Sequence, residues 1–151
     1  MTNRMTGPAG TGTRHPVQLA AAAVGAVFVL VGILGFIPGI TTAYDQLGFA
    51  HGSGALLLGL FQVSILHNLV HLLFGIAGLA MARTIPGARN YLIYGGAVYA
   101  VLWLYGLVVP HDGAANFVPL NSADNWLHLV LAVGMIGLGV ALGRRTTALG
   151  R

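Results

Sequence analysis

The chain contains no cysteine. That absence removes disulfides, cysteine-ligated zinc, iron–sulfur clusters and thiol catalysis. It also lacks lysine and glutamate, so its seven basic residues are all arginine and its three acidic ones all aspartate. Charged residues make up 7% of 151, against about 25% in soluble domains, which argues strongly against a soluble fold. No carboxylate lies well inside an apolar run, which argues against an ordinary carboxylate-based proton relay or cation transporter. The formal net charge of +4 comes with no basic stripe and no aromatic platform, so nucleic acid is not the expected partner.

What is present is apolar. Hydrophobic residues make up 56% of the chain, and the mean hydropathy is +0.82. Residues 1–15 are polar and read as a disordered tail. Residues 16–143 read as a membrane domain and 144–151 as a basic tail. The first span is expected at about 17–37. It is roughly 31 Å long as a helix, enough for a hydrocarbon core of roughly 30 Å. It outruns the roughly 7–15-residue core of a signal peptide, and Thr41-Thr42-Ala43 is a poor cleavage site, so it is read as uncleaved. Ser64 is a plausible N-cap inside the long apolar run from Ala55 to Ala82. That divides the run into an interfacial or re-entrant segment, 55–63, and a second span at 65–82. One long tilted helix is the alternative. The third span is expected at 91–109, stopped by Pro110. The fourth is expected at 123–142, capped by Asn121 or Ser122.

The charges are sorted between the loops. Arg4, Arg14, Arg83, Arg89, Arg144, Arg145 and Arg151 flank the spans on one side, while Asp45, Asp112 and Asp124 lie on the other. Positive charge near helix ends stays cytoplasmic, so the chain is expected in the cytoplasmic membrane of a bacterium with both termini on the cytoplasmic side. The arginines also suit anionic lipid. Glycines stud all four spans; in lipid, close backbone approach is a main source of helix packing.

The second and fourth spans resemble each other. His67-Asn68-Leu69-Val70-His71-Leu72 aligns with Asp124-Asn125-Trp126-Leu127-His128-Leu129. The expected fold is therefore all-α: a four-helix transmembrane bundle of two helical hairpins in parallel orientation, a 2+2 internal repeat with N-in/C-in topology. His71 and His128 should share one depth. His67 lies one turn from His71 on a face that continues through Gly75, Gly78 and Ala82. The matching line on the fourth span is Asn125, His128, Ala132, Met135 and Gly139.

Ionisable residues inside spans are costly and face the bundle interior. Two readings of these histidines stand side by side. In the structural one, Asn68 pairs with His128 and Asn125 with His71, each bond worth about 0.6 kcal/mol. In the functional one, His67, His71 and His128 supply three nitrogens to Cu, Zn or Ni, or His71 and His128 are the axial ligands of a b-type haem. His15 and His111 are expected in solvent, and His51 has no visible partner. His111-Asp112 offers an oriented imidazole, but no fixed nucleophile accompanies it.

The string from Leu58 to Leu72, together with Asn121-Ser122-Ala123-Asp124-Asn125-Trp126-Leu127-His128-Leu129, resembles the signature of a bacterial membrane family catalogued as domain of unknown function 4383. The resemblance implies a small four-helix integral membrane protein over roughly residues 17–143, and implies no activity. The first functional expectation is a non-enzymatic structural or accessory membrane protein, with the bilayer and a homo-oligomer or membrane complex as partners. The second is a metal- or haem-binding redox protein, and the third a bundle that binds lipid or a small molecule.

Overall fold

The computed structural model describes residues 14–111, 113 and 115–148, with side chains as far as Arg144. Most of the 1–15 tail, Asp112 and residues 149–151 lie outside the described residues, and with them the proposed His111-Asp112 pair. Four helices dominate: α1 (Pro16–Leu34), α2 (Ile65–Met81), α3 (Ile85–Val108) and α4 (Ser122–Ala148). Three two-residue strands lie between α1 and α2: β1 (Thr41–Thr42), β2 (Leu56–Leu57) and β3 (Phe61–Gln62).

Each helix starts where its side chains can satisfy the free amides of a first turn. Ser64 Oγ accepts from the His67 amide at 3.1 Å, capping α2. Thr84 Oγ does the same for the Gly87 amide at 3.1 Å. That cap starts α3 at Ile85, six residues before the expected Tyr91. Pro86 sits in the first turn, where its missing N–H costs nothing. At α4 the cap is Asn121: its Oδ1 accepts from the Asp124 amide, and Asp124 Oδ2 accepts from the Asn121 amide, both at 3.0 Å. This is a reciprocal capping box with aspartate in the glutamate role.

Helices α1 and α3, and α4 as far as Arg144, are long and apolar enough to cross a membrane. The chain is thus a membrane protein whose helices carry large apolar side chains on their exposed surface. Leu73, Ile76, Val101 and Val130 are among the large apolar side chains on that exterior. Helix α2 has 17 residues and is about 25 Å long, short of the roughly 30 Å of a hydrocarbon core.

It is short because residues 55–63, the segment expected to be interfacial or re-entrant, form a β-hairpin. Strand β2 pairs antiparallel with both β1 and β3, giving the order β1-β2-β3. The turn at Leu58-Gly59 has φ of +54° and +70°, a conformation glycine adopts freely and leucine rarely. Ser53 is buried beneath it, and its Oγ donates to the Val63 carbonyl at 2.6 Å.

Helix α1 packs chiefly on α2, and α3 chiefly on α4. The α1–α2 crossing is backbone on backbone: a Cβ added to Gly75 would lie 2.6 Å from the Gly25 carbonyl oxygen. The α3–α4 crossing puts Gly96 on Ala132 and Ile136. Between the hairpins the core is aromatic. Phe28, Tyr91 and Tyr99 are buried with Leu92 and Met135, and Phe74 packs against them. The end of the bundle with the two long connections is the loop end; the other, with the α2–α3 turn, is the tail end. Gln18 closes the tail end of α1–α2 by donating to the Ala82 and Arg83 carbonyls at 3.0 and 2.9 Å.

Candidate functional site

His67 and His71 stand on the first two turns of α2, and His128 on the second turn of α4. The lines read as inward faces are buried: His67, Gly75, Gly78 and Ala82 on one helix, Asn125, His128, Ala132, Met135 and Gly139 on the other, with His71 half-buried. The rings of His67 and His71 stack, with centroids 4.2 Å apart and planes 8° from parallel. His71 Nδ1 lies 3.0 Å from the His67 carbonyl oxygen. A carbonyl only accepts, so Nδ1 carries the proton, and in the neutral ring Nε2 is then the acceptor.

Two aromatic residues that the sequence reading missed complete the cluster. Phe28 meets His71 edge-on at 5.4 Å, and Tyr99 meets His128 at 5.2 Å, with interplanar angles of 62° and 59°. Phe28 and Tyr99 stack on each other at 5.4 Å with planes 14° apart. The signal was in the spacing: Gly25, Phe28 and Gly35 stand to one another as Gly96, Tyr99 and Gly106 do.

Two cavities flank the cluster and share His67, His71 and His128 as walls. The larger, about 210 Å³, lies in the α2–α3 seam and is also lined by Val70, Tyr99, Leu102, Phe117 and Val118. The smaller, about 110 Å³, lies in the α1–α4 seam beneath the hairpin, against Val31, Phe61, Asp124 and Leu127. Asp124 is buried, and its Oδ2 also accepts from the Gln62 amide at 3.0 Å. The carboxylate therefore ties β3 to the start of α4. A third, more open groove of about 470 Å³ lies outside α3–α4, between Trp103, Trp126, His111 and Asn125.

The expected asparagine–histidine pairs do not form. Both polar side-chain atoms of Asn68 are buried without a partner, as are Asn125 Oδ1 and His128 Nδ1. Each asparagine instead lies on a glycine of the neighbouring helix. A Cβ on Gly35 would fall 2.1 Å from Asn68 Oδ1, and one on Gly106 would fall 2.2 Å from Asn125 Oδ1. The physical reason is helical phase. Asn68 is one residue, about 100°, around from His67, so it faces the partner within its own hairpin rather than the facing hairpin.

Among the described residues, no group of three or more histidine, aspartate or glutamate side chains is placed to hold a metal ion. The His67 and His71 rings lie face to face rather than turning two nitrogens towards one point. The cavity that His71 and His128 share holds about 210 Å³, below the range of about 300–1,000 Å³ for pockets that take drug-sized ligands. His111 is exposed, with Nε2 3.3 Å from the Gly106 carbonyl oxygen. His51 has a partner after all, the Asn116 carbonyl oxygen at 3.4 Å from its Nδ1.

No curated protein and no solved structure matches the chain. A family model described as "Domain of unknown function (DUF4383)" matches residues 18–141, so nearly the whole helical body is covered, and the chain belongs to that family.

Proposed function

We propose that this is a non-enzymatic membrane protein that binds a small neutral molecule in the cavities around His67, His71 and His128. All four helices cross the bilayer, as two hairpins related by a pseudo-twofold along the membrane normal, with the tail end cytoplasmic. The observation that carries the binding reading is the pair of apolar cavities sharing one wall of three imidazoles. Such a wall gives a bound molecule a few polar contacts in an apolar surround, the usual make-up of a small-molecule site. An apolar cavity of about 150 Å³ admits benzene, so about 210 Å³ suits a single substituted ring or a short chain.

The twofold is supported by matched contacts. His67, Asn68, His71 and Gly75 stand as Asp124, Asn125, His128 and Ala132 do. Under that relation the α2–α3 seam maps onto the α4–α1 seam, so the two cavities are counterparts. The topology rests on Arg14, Arg83, Arg89 and Arg144 at the tail end, with Asp45 and Asp124 at the loop end. The short α2 is matched by local thinning of the bilayer or tilt of its neighbours.

The test is mass spectrometry of small molecules extracted from protein purified out of its membrane, beside a Val70→Trp variant that fills the larger cavity. The expected result is a stoichiometric compound in the wild type that is depleted in the variant. A folded wild type that carries nothing, and accepts no added single-ring probe, overturns the reading. A structural, accessory role is the second reading. It is favoured by the seating of Asn68 on Gly35 and Asn125 on Gly106, which fixes helix register in each hairpin.

A further inference from the structure

We infer that the α2–α3 cavity recognises a hydroxylated aromatic ring, of the phenol or quinol class, through His71. The inference rests on the binding reading above and names the chemistry of its ligand.

His71 Nδ1 is committed to the His67 carbonyl, and His128 Nδ1 is buried without a partner. In His71, Nε2 is therefore the nitrogen left for a ligand. That nitrogen is an acceptor, so the complementary group is a hydrogen-bond donor. A carboxylate or phosphate finds no cation among the residues lining this cavity, which are Ser64, three histidines and six apolar or aromatic side chains. A charged ligand would lose its hydration there without compensation. The donor is thus neutral, and a hydroxyl meets that condition.

The walls favour an aromatic bearer. Tyr99 and Phe117 line the cavity, one from α3 and one from the connection before α4. Offset or edge-on ring pairs are worth about 0.5–1.5 kcal/mol beyond the area they bury. Phe117 and Val70 are both largely exposed at the rim, on the side the apolar helices turn to lipid. A ring with a long tail can seat its head on His71 and leave the tail along that seam. A free small phenol and the head of a membrane quinol present the same chemistry here.

The experiment uses full-length protein in nanodiscs and four probes: 3,5-dimethylphenol, its methyl ether, m-xylene and 3,5-dimethylcyclohexanol. Binding is read by ligand-observed saturation-transfer NMR and calorimetry, on wild type, His71→Leu and Val70→Trp. The expected result is that the phenol binds at least tenfold more tightly than its methyl ether or the cyclohexanol. His71→Leu, which removes the acceptor, should erase the preference for phenol over ether while still binding m-xylene, which shows that its cavity is intact. Val70→Trp should weaken every probe. Equal binding of phenol, ether and xylene to wild type overturns the hydroxyl inference and leaves the cavity reading standing. A cyclohexanol that matches the phenol overturns the aromatic part. Failure of all four probes on folded wild type overturns both. A long-tailed quinol that competes with the phenol more strongly than its tailless head does would identify the lipid source; equal competition would identify a free phenol.

Discussion

Replacing Gly75 by alanine tests the backbone contact on which the first hairpin depends. The new Cβ would lie 2.6 Å from both the Gly25 carbonyl oxygen and the Val29 amide nitrogen. Both are main-chain atoms, so neither can rotate away, and the two helices must separate. Overpacking of this kind costs about 1–3 kcal/mol. Alanine's helix propensity offers little relief, because a membrane helix stays formed when the bundle comes apart. In the second hairpin the close glycine is Gly96, the counterpart of Gly25, where the nearest main-chain atoms would be 3.0 Å away. The cost there should be about 1 kcal/mol. Gly134 has nothing within 4 Å, so alanine should leave stability within about 0.5 kcal/mol. The assay is SDS titration in mixed micelles, with the folded fraction read from protease resistance of the connection between α1 and α2. The expected order of destabilisation is Gly75→Ala, then Gly96→Ala, then Gly134→Ala. For Gly75→Ala a loss of about 2 kcal/mol would lower the folding constant roughly thirtyfold. If Gly75→Ala proves as stable as Gly134→Ala, the crossing is looser than described and the steric argument fails.

Asn121→Ala should remove the side-chain half of the α4 capping box and the bond from Asn121 Nδ2 to the Leu60 carbonyl. About 1 kcal/mol should be lost, with faster hydrogen exchange confined to the start of α4 and to β3; unchanged exchange there would contradict the cap. Gln18→Leu keeps the bulk but leaves the Ala82 and Arg83 carbonyls without their donor. The cost should be about 1–2 kcal/mol in the same SDS titration, and no change would mean that water replaces the amide. Ser53→Ala should cost about 1–3 kcal/mol, since the buried hydroxyl both donates to the Val63 carbonyl and accepts from the Gly48 amide; protease cleavage between β1 and β3 should rise.

Much of the fold was legible because the bilayer imposes a simple code. Runs of apolar residues set α1 and α4, Ser64 set the start of α2, and the spacing of His67, His71 and His128 set the inward faces. What was not legible depended on short-range chemistry inside an apolar run. Nothing in the alternation of Leu56 to Gln62 marks strands of two residues, since such strands are too short to show a period; Gly59 was the one cue to a turn. The start of α3 was misplaced because Pro86 was read as part of a turn, although Thr84 before it is a good cap. At the site, the sequence put Asn68 and Asn125 beside the histidines in the right helices. It could not say that each asparagine would face its own hairpin, because the relative rotation of two packed helices is set by Gly35 and Gly106 on the other strand of the contact.

The bonds that join the two hairpins have a mechanical consequence. Among the described residues, the Gln62 amide on Asp124, Asn121 on the Leu60 carbonyl and His51 on the Asn116 carbonyl all lie at the loop end. Farther down, the hairpins meet through apolar and aromatic surfaces such as Tyr91 against Gly78 and Phe74 against Gly95. Hydrogen bonds resist sliding because they are directional, whereas stacked apolar faces resist separation and tolerate small rotations. The three bonds therefore act as a pin at the loop end about which the two hairpins can rock like levers, and the pin stands directly over the histidines.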